Sequence, residues 1–139
     1  MTHHSKVLLV DDDYLTRTQL RTALERAGFD VLQADSGVRI VDLVLQERPD
    51  LVLMATRMAL VDPFELTRLI TGDPALMGVS VVFVGVDPSV EELQAAFEAG
   101  GEGFFPKPVD ARAVLARVTD LTGDDLGPAV EAVQARLAV

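Results

Sequence analysis

Apolar runs of strand length recur about every 22 to 30 residues, with helix-period patterns and short glycine- or proline-bearing links between them. This alternation predicts a doubly wound α/β domain, a five-stranded parallel sheet covered by helices on both faces. The runs are apolar at consecutive positions, which marks strands buried on both sides. A chain of 139 residues that is 49% hydrophobic is the right size for one such core.

The elements follow in order. The first strand is Val7 to Val10, and the helix after Asp13 places Leu20, Ala23, Leu24 and Ala27 on one face before Gly28 ends it. The second strand is Asp30 to Ala34; Ser36 is expected to cap a helix whose inner stripe is Ile40, Leu43 and Val44, and Pro49 forbids its continuation. The third strand runs from Leu51 to Met54 or Ala55. A helix starting near Asp62 and Pro63 is expected to bury Leu66, Leu69 and Ile70 and to break at Gly72 to Pro74. The fourth strand is Val79 to Val84. Its helix, Ser89 to Ala99, is expected to turn Val90, Leu93, Ala96 and Phe97 inward and to stop at Gly100-Gly101. The fifth strand is the short Gly103 to Phe105, and Asp110 caps a last helix with Val114, Leu115, Val118 and Leu121 on its inner side. Residues 1–123 form this domain. Residues 124–139 read as an amphipathic helix or linker, with Asp124 and Asp125 as caps, Pro128 in the first turn and Val130, Val133 and Leu137 at helical spacing. That segment either packs on its own domain or leads to a partner or a further domain.

Composition excludes several functions. There is no cysteine, so disulfides and thiolate metal sites are excluded. The apolar runs are far shorter than the ~20 residues of a membrane-spanning helix and no signal-peptide pattern opens the chain, so a cytoplasmic, non-membrane protein is expected. Twenty-two acidic against twelve basic residues give a formal net charge of −10, which repels nucleic-acid phosphates. His3 and His4, the only histidines, sit in a polar tail.

In an open parallel sheet the working crevice lies beyond the carboxyl ends of the strands. There the sequence offers Asp11, Asp12 and Asp13 after the first strand, Ala55 after the third, Gly85 after the fourth and Pro106-Lys107-Pro108 after the fifth. Three adjacent carboxylates repel one another unless a cation is near, and hard oxygen ligands suit Mg²⁺. Lys107 can supply the positive charge instead. On local grounds alone the acids can also serve as a solvated, helix-capping loop, and the lysine reads equally as a surface residue.

The order Lys6-Val-Leu-Leu-Val-Asp-Asp-Asp13, Pro49-Asp-Leu-Val-Leu-Met54, Phe64-Glu-Leu66, Phe97-Glu-Ala-Gly100 and Phe104-Phe-Pro-Lys-Pro108 resembles the receiver domain of two-component response regulators, over about residues 5 to 121. The resemblance implies a flavodoxin-like sheet of strand order 2-1-3-4-5. It implies a site where two acids after the first strand and an aspartate after the third hold Mg²⁺, and where that aspartate accepts a phosphoryl group from a histidine kinase. Carried over by position, Asp11 and Asp12 are the retained metal pair and Lys107 the retained lysine. Ala55 occupies the phosphoacceptor position, Gly85 the switch hydroxyl and Phe104 the aromatic switch, while Met58-Ala59-Leu60-Val61-Asp62-Pro63 departs from the usual loop.

An alanine methyl neither attacks phosphorus nor coordinates a metal. The expectation is therefore an atypical, non-enzymatic receiver with no catalytic residue and at most a weak Mg²⁺ site at Asp11 and Asp12. It would act through protein partners (a kinase, another signalling protein or an output domain), with a homodimer through residues 89–121 as one arrangement. Two alternatives compete. One is a phosphorylatable regulator whose acceptor was engineered away or relocated to Asp12 or Asp62. The other is a haloacid-dehalogenase-like phosphatase, suggested by Asp11 to Asp13 with Thr16 and by Val84-Gly-Val-Asp87, but lacking that family's lysine order and a cap.

Overall fold

The structure, a computed structural model, describes residues 5–123. The histidine tail and the amphipathic segment 124–139 lie outside the described residues. The apolar runs form β1 (Lys6–Val10), β2 (Asp30–Ala34), β3 (Leu51–Ala55), β4 (Ser80–Gly85) and β5 (Phe104–Pro106). They pair in parallel in the order β2-β1-β3-β4-β5. Between them lie α1 (Tyr14–Arg26), α2 (Ile40–Glu47), α3 (Pro63–Thr71), a 3₁₀ turn (Pro74–Leu76), α4 (Val90–Glu98) and α5 (Ala111–Thr122).

Because side chains alternate across a strand, each run feeds two cores. Val7, Leu9, Leu51, Leu53, Val82 and Val84 pack with α1 and α5, whereas Leu8, Val10, Val52, Met54, Val81 and Phe83 pack with α2, α3 and α4. Phe83 is fully buried and tilts against Phe64 at 5.2 Å between ring centroids. A Phe→Ala change at such a position typically costs about 3–5 kcal/mol. The register sets the strand ends level, with Val10 opposite Met54, Ala55 opposite Val84 and Gly85 opposite Pro106. The residues that follow these ends share one crevice.

Three helices differ from their sequence reading. Ser36 does not cap α2: its Oγ accepts the Val38 N–H at 3.1 Å in a local turn, and α2 begins after Arg39, which is left-handed at φ 63°. A serine that bonds two residues ahead makes a turn of its own instead of a helix cap. In α3 the fully buried residues are Pro63, Thr67 and Ile70; Leu66 packs partly buried against the same core as expected, and Leu69 faces solvent. Thr67 can be buried because its hydroxyl donates to the Pro63 carbonyl at 2.8 Å, leaving only its methyl to pack.

The largest difference is in α4, where Ala96 is buried but Val90 is 71%, Leu93 38% and Phe97 76% exposed. At about 100° per residue, Val90, Leu93 and Phe97 share one arc, while Ala96 and Ala99 occupy the next. Only one arc can meet the sheet. The small one does, because the chain after α4 closes tightly on the core: a Cβ at Gly101 would stand 2.8 Å from both the Ala96 carbonyl and the Phe83 ring. The apolar stripe is left outside.

Candidate functional site

The crevice is built from the four loops at the strand ends. Asp11 follows β1 with its N–H on the Ala34 carbonyl at 3.1 Å, and it is 4% exposed. Lys107 reaches it across the sheet, with Nζ 2.9 Å from Asp11 Oδ2 and 3.1 Å from Oδ1. Asp11 Oδ1 also accepts the Asp13 N–H at 2.9 Å, so both oxygens are engaged. The lysine is held by its own backbone, whose N–H donates to the Gly85 carbonyl at 2.8 Å.

The second acid facing Lys107 is Asp13, at 3.5 Å, and not Asp12, which is exposed. Asp13 caps α1, accepting the Leu15 N–H at 3.1 Å and the Thr16 hydroxyl at 2.6 Å. The Thr16 hydroxyl is the main cause holding the Asp13 carboxyl below the usual carboxylate range. Burial opposes it, and the Lys107 charge and the Leu15 and Thr16 N–H groups add to it. Arg17 secures the same turn by donating to the Asp11 carbonyl at 2.6 Å.

The far wall is a cavity of about 80 Å³ lined by Ala55, Thr56, Arg57, Val84, Gly85, Val86 and Lys107. Ala55, 2% exposed, presents a methyl there. Gly85 has no side chain, and the room is taken by Thr56: a Cβ at position 85 would overlap Thr56 Oγ1 and stand 3.1 Å from Cγ2 and 3.2 Å from Cβ. Arg57 turns the other way and donates to Glu92 Oε1 on α4 at 2.7 Å. That bond is the main cause lowering the Glu92 carboxyl below its usual range.

The site thus brings Asp11, Ala55, Gly85 and Lys107 together as the sequence predicts. It sets Asp12 at the rim, and it leaves Phe104 below, partly buried against the α2–α4 layer. Asp62, the other relocated-acceptor candidate, is exposed and caps α3 by accepting the Phe64 N–H at 2.9 Å. Among the described residues no three acids or histidines are grouped to hold a metal. The donor set does not fit Mg²⁺ well, since Asp11 is committed to Lys107, Asp12 is exposed and position 55 offers carbon.

Sequence reasoning placed Asp13 at the crevice but did not single it out as the partner of Lys107 and Thr16, and it missed Thr56 and the Arg57–Glu92 pair. Asp13 with Thr16 had a readable signal, an acid and a hydroxyl at cap spacing. Thr56 had none, because only the β3–β4 register brings it to Gly85.

The model of the response regulator receiver domain matches residues 7–119. The chain belongs to that family. The receiver is 34% identical over 128 residues to response regulator MprA of Mycobacterium sp. (strain KMS), covering 88% of this chain and 54% of that protein. It is 32% identical over 118 residues to MprA of Mycobacterium tuberculosis (strain ATCC 25177 / H37Ra), covering 84% of this chain and 50% of that protein. The chain therefore spans about half the length of these curated relatives. Among solved structures, the signal receiver domain of a DNA-binding response regulator from Colwellia psychrerythraea 34H superposes with a TM-score of 0.80 at 20% identity, covering 86% of this chain and 99% of that one. Chemotaxis response regulator CheY4 of Vibrio cholerae does so with a TM-score of 0.78 at 22% identity, covering 86% and 99%. Both carry the same fold. Family membership makes this a receiver module of two-component signalling and places the chain in that family instead of the haloacid-dehalogenase family. Among the described residues no helix is long and apolar enough to cross a membrane.

Proposed function

We propose that this receiver is atypical: its crevice takes up no phosphoryl group, it catalyses no reaction, and its output is a protein-binding surface. The observation that carries the reading is Ala55, a buried methyl at the end of β3 where the cavity faces Lys107. Gly85 adds to it, since the last position of β4 has no hydroxyl and its room is filled by Thr56. Asp12 and Asp62 make poor substitute acceptors. In-line transfer needs the acceptor held against the lysine, and it is Asp11 and Asp13 that Lys107 faces. Mg²⁺ binds in the millimolar range or more weakly on this reading, and the net charge keeps the domain itself off nucleic acid.

The surface is the α4–β5–α5 face, where Val90, Leu93 and Phe97 form an exposed stripe flanked by Glu91 and Glu98. Of the other charges on that face, Glu92 is tied to Arg57, and Arg117 is spent on Asp120 and the Glu102 carbonyl. The apolar stripe is therefore the main feature a partner would cover, and a second copy of the chain is the occupant this reading favours. Incubation with acetyl phosphate and Mg²⁺ followed by intact-mass measurement tests the crevice. No mass gain is expected, and a stoichiometric gain of one phosphoryl group would overturn the reading.

A further inference from the structure

The loop after β3 holds the junction between β4 and α4 at two points. Thr56 donates its N–H to the Val84 carbonyl at 3.1 Å and lays its side chain into the space that the missing side chain of Gly85 leaves open. Thr56 is 5% exposed, so little water competes for that space. One residue on, Arg57 reaches the first turn of α4 through Glu92, and Glu92 closes the capping box of that helix with Ser89. Between the two grips the chain passes Asp87, which is left-handed at φ 41°. Bulk at position 56 and absence of bulk at position 85 are thus complementary, and the next residue bonds to the helix that the junction leads into.

We infer that Thr56 and Arg57 form a two-point clamp that fixes the β4–α4 junction in one conformation and so presents the Val90–Leu93–Phe97 stripe permanently. Thr56 is the stronger point because it is buried and interlocked by shape. The Arg57–Glu92 pair is solvent-exposed on the arginine side and holds less. The clamp replaces a chemical signal with packing, since the space beside Gly85 is already held by the Thr56 side chain. Its consequence for output rests on the proposed function, but the clamp itself does not, because its test involves neither phosphoryl transfer nor a partner.

The test is peptide-resolved amide hydrogen exchange on the whole chain and on T56A, G85A, T56A/G85A and R57A. T56A should speed exchange over residues 85–93 about tenfold and leave α3 within about twofold of the parent. G85A, which forces the Thr56 side chain out, should speed the same amides at least as much. T56A/G85A, in which the alanine methyl regains the vacated space, should exchange more slowly there than G85A, and R57A should change the region by about two- to threefold. If G85A does not fold, recovery of the fold in T56A/G85A carries the same information. The clamp is overturned if T56A leaves residues 85–93 unchanged, if it speeds exchange uniformly across the domain, or if T56A/G85A is no better than G85A. A phosphoryl mass gain in the parent protein would sink the proposed function while leaving these exchange results standing.

Discussion

Replacing Lys107 by methionine is the sharpest probe of what holds the crevice, because it keeps the aliphatic stem and removes the charge. Its Nζ lies 2.9 Å from Asp11 Oδ2 and 3.5 Å from Asp13 Oδ2. At an effective dielectric near 20 these separations correspond to gross attractions of roughly 6 and 5 kcal/mol. Most of that is offset by taking the ammonium out of water, and the half-exposed Asp13 counts for little. What remains is the cost of leaving Asp11, 4% exposed, as a buried carboxylate without a counter-charge. For fully buried pairs that cost is about 3–5 kcal/mol, and since the lysine side chain keeps 15% of its exposure, K107M should cost about 2–3 kcal/mol. Urea unfolding at pH 7 would show this as a midpoint lowered by roughly 1–2 M. D11N in the K107M background keeps an acceptor for the Asp13 N–H and removes the unpaired charge, so it should recover about 1 kcal/mol or more. A K107M protein within about 0.5 kcal/mol of the parent, or costs of D11N and K107M that simply add, would refute the reasoning.

Three further outcomes are expected. A55D adds a carboxylate to those of Asp11 and Asp12 and should tighten Mg²⁺ by about tenfold or more in titration calorimetry, with little gain in phosphorylation because residue 85 still carries no hydroxyl; unchanged affinity would count against this account of the site. T16V removes the hydroxyl that depresses Asp13, so that carboxyl should titrate closer to the ordinary range in a carbon-detected NMR series. The sign follows from linkage: the depressed Asp13 contributes stability that is fully present above its unfolded pKa of about 3.9 and is lost as pH falls through the folded value, so the T16V deficit should be full at neutral pH and shrink as pH falls below about 4, and a deficit that stays the same at all pH values would refute it. F97E puts a charge in the exposed stripe, and sedimentation at micromolar protein should change from dimer to monomer with a stability change within about 0.5 kcal/mol; a parent that is monomeric at every concentration removes the self-association reading.

The parallel sheet, its helices on both faces and the strand boundaries to within one residue were legible in the sequence, because strand-length runs of consecutive apolar residues between helix-period segments are buried inside a doubly covered sheet. The crevice was legible for a related reason: in such a sheet the strand ends are level, so Asp11, Ala55, Gly85 and Lys107 had to meet. Choices between equivalent local options were decided only by tertiary structure. Helix α4 carries two neighbouring apolar arcs, and the closeness of the chain at Gly101 selects the alanine arc and exposes Val90 and Phe97. Three adjacent aspartates differ in sequence by one position each. The turn into α1 buries Asp11 against Lys107, commits Asp13 to the cap and leaves Asp12 outside. Thr56 and Gly85 are 29 residues apart in the chain and carry no joint signal until β3 and β4 pair. Periodicity and turn chemistry are properties of neighbours along the chain, whereas the filling of Gly85 by Thr56 is a property of two chain segments sharing one volume.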